Sequence, residues 1–288
     1  MPELCPWEED TFDADVSIQW GPVPESLESP RHSGVCFQSS PDLFLFFVKG
    51  IVRYLVTRGR KIVIQALPGA EQRDVRLFLL NSAFNALFHQ RGLFPLHASG
   101  IRVKDQCILF SGDSGHGKST LANAFVRRGY DLHTDDIAVA DIGEDGGAVI
   151  HPAYPQMKLW EETLQKIQDK TPYAPLRRRI KKFAVPLTGA FSRRCLPVGK
   201  IYVLCPRNRP GFDITPVTGM DKFNILKGQT HRFQFTKGLG TQTEHFRFAS
   251  VLGRQVPVSR VHRPQKPFMV EELADVIQGD LERSGLWL

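Results

Sequence analysis

Gly112-Asp113-Ser114-Gly115-His116-Gly117-Lys118-Ser119 fits the pattern GxxxxGK[ST] without a mismatch. That spacing suits a polyphosphate. Glycines let the backbone bend until successive N–H groups point inward as a nest for an anion. The N-terminus of a following helix adds partial positive charge. A lysine at the seventh position reaches β- and γ-phosphates, and the next hydroxyl meets Mg²⁺. The expected phosphate-binding residues run from Gly112 to Thr120, including Asp113, Ser114, Gly115, Gly117, Lys118 and Ser119; His116 fills a variable position of the loop. Asp135-Asp136 follows 17 and 18 residues after Lys118. Two adjacent carboxylates can divide labour, one holding a metal and one accepting a proton from an attacking hydroxyl. The same pair fits a solvated turn equally well. Asp141, after Ile137-Ala138-Val139-Ala140, is a second candidate for the metal carboxylate, and spacing does not separate the two. His97 lies 15 residues before Gly112, and a lone histidine beside small residues is more often structural than catalytic.

These residues need elements to hold them. Cys107–Phe110 reads as an apolar strand leading into the loop, paired with Ile101–Val103 across Lys104-Asp105-Gln106. A helix is expected from Ser119 to Arg128, with Leu121, Ala122 and Phe125 inward and Gly129 as its stop. Asp131–Ile142 is strand-like with a polar centre. Upstream, residues 34–70 read as β, with Arg58-Gly59-Arg60 turning a hairpin, and Asp74–Gln90 reads as one helix. Downstream, Leu159–Lys170 is expected to be helical, Tyr173–Arg194 irregular and Val198–Cys205 a buried strand. Helices are expected over Asp221–Lys227, Gln242–Leu252 and Glu271–Arg283. The first 30 residues, acidic and proline-spotted, read as a loose arm or edge strand.

The chain has 288 residues, 42% hydrophobic and 23% charged, with a formal net charge of +7. That is enough for a sizeable core and too apolar for disorder as the main state. No apolar stretch reaches the roughly 18 residues of a spanning helix, and the acidic start lacks a secretory h-region. Five scattered cysteines without a CxxC pair argue against a disulfide framework or zinc cluster and for a reducing, cytoplasmic setting. The positive charge is local: residues 151–210 hold 13 Lys and Arg against 3 Asp and Glu. Its centre is Arg177-Arg178-Arg179-Ile180-Lys181-Lys182, with Arg193-Arg194 beyond. The run is either a solvated loop or a clamp for triphosphate or peptide carboxylate. Duplex nucleic acid is a poor partner, since aromatic interleaving and a DNA-binding motif are both lacking.

Leu96-His97-Ala98-Ser99-Gly100, the loop Gly112–Thr120, Arg128-Gly129-Tyr130 and Asp135-Asp136, in that order, resemble the catalytic domain of HPr kinase/phosphorylase. The resemblance is close over residues 93–145. It implies an α/β (α+β) P-loop fold like the nucleotide domain of phosphoenolpyruvate carboxykinase, grown from a compact, mostly antiparallel sheet. It implies ATP and Mg²⁺, and transfer of a phosphoryl group to a serine hydroxyl. By position it makes Asp135 the base, Asp136 its neighbour in the metal and water network together with Ser119, and His97 the histidine beside them. That raises the acidic pair above Asp141. One departure is the stretch His151–Trp160, which lacks the acidic residue of the family's EIRG-type segment; the next acid is Glu161. The segment 1–92 is similar to the β-rich extension and helix of HPr-kinase-like proteins from peptide biosynthesis clusters, and 93–288 corresponds to the kinase domain. Some of that group phosphorylate the C-terminal serine of a lasso-peptide precursor. The implied partner is therefore a peptide or protein with an acceptor serine, without nucleic acid or membrane, and a homo-oligomer is compatible. A small-molecule kinase, a nucleotide-dependent regulatory ATPase or binder, and the reverse phosphorolysis reaction are the other readings.

Overall fold

Period-two burial builds the first layer. The computed structural model describes residue 3 and residues 14–177, 180–187, 189–267 and 269–286. Most of the acidic N-terminal arm, and Arg178 and Arg179 of the basic run, lie outside the described residues. β1 (Ser17–Trp20), β2 (His32–Gly34), β3 (Phe37–Ser39), β4 (Leu43–Val48), β5 (Val52–Thr57) and β6 (Lys61–Ala66) form a sheet in the order β1-β6-β5-β4-β3-β2. Every second residue of β5 is buried, as a strand with one core face requires. Arg58 and Gly59 take positive φ in the turn from β5 to β6, the left-handed backbone of a tight hairpin. The buried face is covered by α1 (Gln72–Phe78), a π-helical turn (Leu79–Ala83) and α2 (Phe84–Gln90). The one helix expected there is thus interrupted at its centre.

The second layer holds the loop. β7 (Phe94–Leu96), β8 (Ala98–Val103) and β9 (Gln106–Ser111) lead into α3 (Lys118–Arg127), β10 (Asp131–Thr134), β11 (Ala138–Ile142) and β12 (Ala148–Ile150). A three-stranded sheet follows, from β13 (Gln156–Trp160), then after α4 (Glu161–Lys166) β14 (Pro175–Arg177) and β15 (Ile180–Pro186). β16 (Leu196–Arg207), β17 (Asp213–Val217), α5 (Gly219–Gly228), α6 (Phe235–Leu239), α7 (Gln242–Gln255), β18 (Val258–Pro264) and α8 (Val270–Arg283) complete the chain. The nine-stranded sheet runs β10-β8-β9-β16-β12-β11-β7, with β18 on β16 and β17 on β18. Within this sheet only the β9–β16 and β16–β18 pairings are parallel among the described strands. The mixed α/β fold and the mostly antiparallel sheet agree with expectation. β10 lies antiparallel to β8, and β8 antiparallel to β9. The C-terminal ends of β9, β10, β16 and β18 therefore share one edge.

Phe110 of β9 and Phe125 of α3, both fully buried, stack with centroids 5.4 Å apart and fix the helix to the strand before the loop. On the other side of α3, Arg128 pairs with Glu271 and Asp275 of α8. Phe235 and Leu239 of α6 close the core of the first sheet, so that core draws on both ends of the chain. Two expectations fail. Leu159 belongs to β13, buried in the core, and helix α4 covers only Glu161–Lys166. The stretch expected to be irregular contains β14 and β15, because pairing with β13 supplies the order that its run of charges concealed.

Candidate functional site

The loop from β9 to α3 is shaped by glycine. Gly112 has φ +140°, and a Cβ there would sit 2.9 Å from the Leu204 carbonyl oxygen. Gly117, with φ +91°, caps α3 in the left-handed conformation. Asp113, Ser114 and Gly115 form the exposed crown, Ser119 is half-buried, and the Thr120 hydroxyl turns inward to Thr163 at 3.1 Å. The Lys118 ammonium donates to the carbonyls of Gly112 (2.8 Å) and Asp113 (3.0 Å). Burial lowers its pKa to about 8, against the opposing pull of Asp136, Asp135 and Asp113. His116 sets its Nδ1 3.0 Å from the Leu204 carbonyl, and its own carbonyl accepts from Arg263 at 2.8 Å.

The acidic pair lies at the same sheet edge, where β10 ends. Thr134 Oγ1 donates to Ile137 O (2.7 Å) and closes a turn over the two aspartates. Asp136 takes φ +74°, a left-handed conformation that costs a non-glycine residue on the order of 1 kcal/mol. Asp135 is buried and accepts from Ser99 Oγ at Oδ1 (2.6 Å) and from the Lys158 backbone N–H at Oδ2 (2.7 Å). Asp136 Oδ2 accepts from Lys158 Nζ (2.7 Å) and Asn81 Nδ2 (3.1 Å). Burial works against the Asp136 charge, but the Lys158 ammonium, with Lys182 and His231, outweighs it and holds the carboxyl well below the usual range. Burial likewise works against the Lys158 charge, and Asp136 outweighs it in the same way. His97 Nε2 stands 4.0 Å from Asp136 Oδ1. Burial and Lys118 push its pKa to about 4, so at neutral pH it is a neutral imidazole and not an ion-pair partner.

The structure brings together the loop, Asp135, Asp136 and His97, and leaves Asp141 apart. Asp141 on β11 faces His151 (3.3 Å), whose Nδ1 in turn lies 3.4 Å from Cys195 Sγ. Burial and Asp141 push the Cys195 thiol up, the opposite of what a prepared nucleophile needs. Glu161 pairs with exposed Lys181 at 2.8 Å. The basic run divides: Arg177 lies over the Phe78 ring, near Asp74, whereas Lys182, beside Trp160, bears on Lys118, Asp136 and His97.

Several residues here carried no sequence signal as site residues. Asn81 comes from the π-helical turn, and Asn85 Nδ2 donates to His231 Nδ1 (2.8 Å). The His231 ring centroid is 5.5 Å from that of His97, and burial holds its pKa at about 3. Gln229 Oε1 accepts from Gly112 N (2.9 Å) and Ser111 Oγ (3.0 Å), tying the end of α5 to the loop entrance. Lys158 stood in the stretch where an acid was missing; its ammonium occupies the neighbourhood of the pair.

Among the described residues no group of three or more His, Cys, Asp or Glu is arranged to hold a metal. A loop-bound Mg²⁺ needs less, since it takes one or two protein oxygens and the rest from phosphates and water. Ser119 Oγ and Asp136 Oδ1 are oxygens of that kind, and Oδ1 has no hydrogen-bond donor among the described residues, so the donor set fits. No described helix is long and apolar enough to cross a membrane.

No family model matches the chain, and no curated protein matches it. Among solved structures, the HPr(Ser) kinase/phosphatase from Coxiella burnetii is similar at 16% identity, over 65% of this chain and 98% of that one, with a TM-score of 0.35. A likeness at that level carries nothing about activity.

Proposed function

We propose that this protein is an ATP-dependent kinase that transfers the γ-phosphoryl group to a serine hydroxyl of a peptide or protein. The observation that carries this reading is the meeting, at one sheet edge, of the phosphate loop with buried Asp135 and half-buried Asp136. In the proposed mechanism Lys118 exchanges its two loop carbonyls for phosphate oxygens, and the N–H groups of the loop and of α3 cradle the polyphosphate. Ser119 and Asp136 would hold Mg²⁺, which when bound neutralises charge on the phosphate oxygens. Asp135 accepts the serine proton; an ionised carboxylate offers about four acceptor positions, so the Ser99 and Lys158 donors leave room for it. Ser99 and the Lys158 N–H hold that carboxylate in one orientation, the kind of positioning on which phosphoryl transfer depends. Neutral His97 lies beside Asp136 without competing for its charge.

The resemblance narrows the proposed acceptor to the C-terminal serine of a peptide, as in lasso-peptide precursors. The test is incubation with γ-labelled ATP, Mg²⁺ and a panel of serine-terminated peptides, each with its Ser→Ala partner. Label on the serine peptides alone is expected; label on neither, with ATP hydrolysed to phosphate, would make the protein an ATPase.

A further inference from the structure

A second concavity adjoins the loop on the side away from the acidic pair. β16 runs past the end of β9: Val203 pairs with Ser111, and Leu204 to Arg207 continue alongside the loop. β18 pairs with that extension up to Arg207 and Pro264. Beyond these two strand ends, residues 208–211 and 264–267, with Met269, line a cleft of about 680 Å³. Pockets of this size hold small organic ligands. Among the described residues no acidic one lines it, and Arg209 and Lys266 do. Arg207 and Arg263, paired strand neighbours of the lining residues, immediately precede Asn208 and Pro264. Among the described residues none of these four cations has an ion-pair partner, and the buried Arg207 Nε has no hydrogen-bond partner. Arg263 donates to the carbonyls of His116 in the loop (2.8 Å) and Pro264 at the cleft rim (2.9 Å), and so ties the two together.

The geometry points to this cleft as the seat of the nucleoside whose phosphates the loop holds. The inference rests on reading the loop as a nucleotide site and adds the ligand's direction. Lys118 and the acidic pair mark the γ-phosphate end, at β9 and β10. The rest of the nucleotide must then leave toward β16 and β18, where the cleft lies. Asn208 and Gln265 supply amides that both donate and accept toward a base edge. Met269 supplies a soft thioether for a ring face, and the guanidiniums of Arg207 and Arg209 can stack on one. Arg263, able to swing from carbonyls to an anion, sits where the polyphosphate passes from loop to cleft.

The test compares Mg²⁺-ATP with inorganic tripolyphosphate, which has the phosphates and no nucleoside, in calorimetric titrations of the full chain. The intact protein should bind ATP at least tenfold more tightly. Asn208→Ala/Gln265→Ala should weaken ATP about tenfold or more and leave tripolyphosphate within twofold. Photolabelling with 8-azido-ATP should mark peptides containing 208–211 or 264–269. Equal weakening of both ligands, no weakening of ATP, or label confined elsewhere would overturn the cleft assignment while leaving the loop a phosphate site. Binding of neither ligand by the intact protein would overturn the loop reading and the cleft with it.

Discussion

Lys118 is held between opposing forces. Burial lowers its pKa to about 8, and its ammonium satisfies itself on two loop carbonyls. A phosphate must meet the protonated form, so nucleotide binding takes up a proton once the free lysine begins to lose it. The sign follows: ATP affinity should be flat below about pH 7.5 and fall as pH rises through 8, approaching tenfold per unit where the free lysine is mostly neutral. Calorimetry from pH 7 to 9.5 measures this, and Lys118→Arg, which keeps its charge, should abolish the slope whatever it does to affinity. The loop was legible from sequence because its chemistry is written in consecutive residues. By their own spacing Asp135 and Asp136 were legible only as a pair, and the resemblance alone gave them separate roles. What separates them is the left-handed backbone at Asp136 and the donors from β8, β13 and the π-helical turn, which are distant in sequence.

Elements decide which of those donors arrive. Asn81 reaches Asp136 because the helix over residues 72–90 is interrupted by a π-helical turn, a feature frequent at functional sites. Apolar periodicity located that helix and gave no sign of the interruption, since one extra residue per turn leaves the composition unchanged. Asn81→Ala removes one donor and leaves Lys158 in place. It should lower phosphoryl transfer roughly tenfold, the worth of a hydrogen bond of about 1.5 kcal/mol to a charged group, with ATP affinity within twofold; single-turnover transfer and calorimetry together check it. β15 shows the opposite failure. Its neighbouring lysines have different partners, Lys181 the Glu161 carboxylate and Lys182 the Trp160 ring, and the Lys182 charge acts on Lys118 and Asp136. A strand's alternation was present in the charged run, but only pairing with β13 reveals it.

At the scale of the whole molecule, the helical segment that covers the N-terminal sheet supplies side chains to a site whose loop lies in the second sheet, and α6 closes the core of the first. Three histidines record this closure: burial lowers His89 and His97 to about 4 and His231 to about 3. Their unfolded values are near 6.5, so below that pH the unfolded chain binds more protons. Stability should hold above about pH 6.5 and fall as pH drops toward 4, by about 1.4 kcal/mol per unit for each histidine fully in its window. Urea unfolding at pH 7, 6 and 5 measures the decline, and His89→Gln should make it shallower. The central claim is that the loop and the acidic pair form one phosphoryl-transfer site, with Asp135 taking the acceptor's proton. Its most direct test is Asp135→Asn, measured for ATP binding and for label transfer to an acceptor serine in the same preparation. The account predicts ATP affinity close to that of the intact protein with transfer reduced by a hundredfold or more. Transfer at the rate of the intact protein would contradict it.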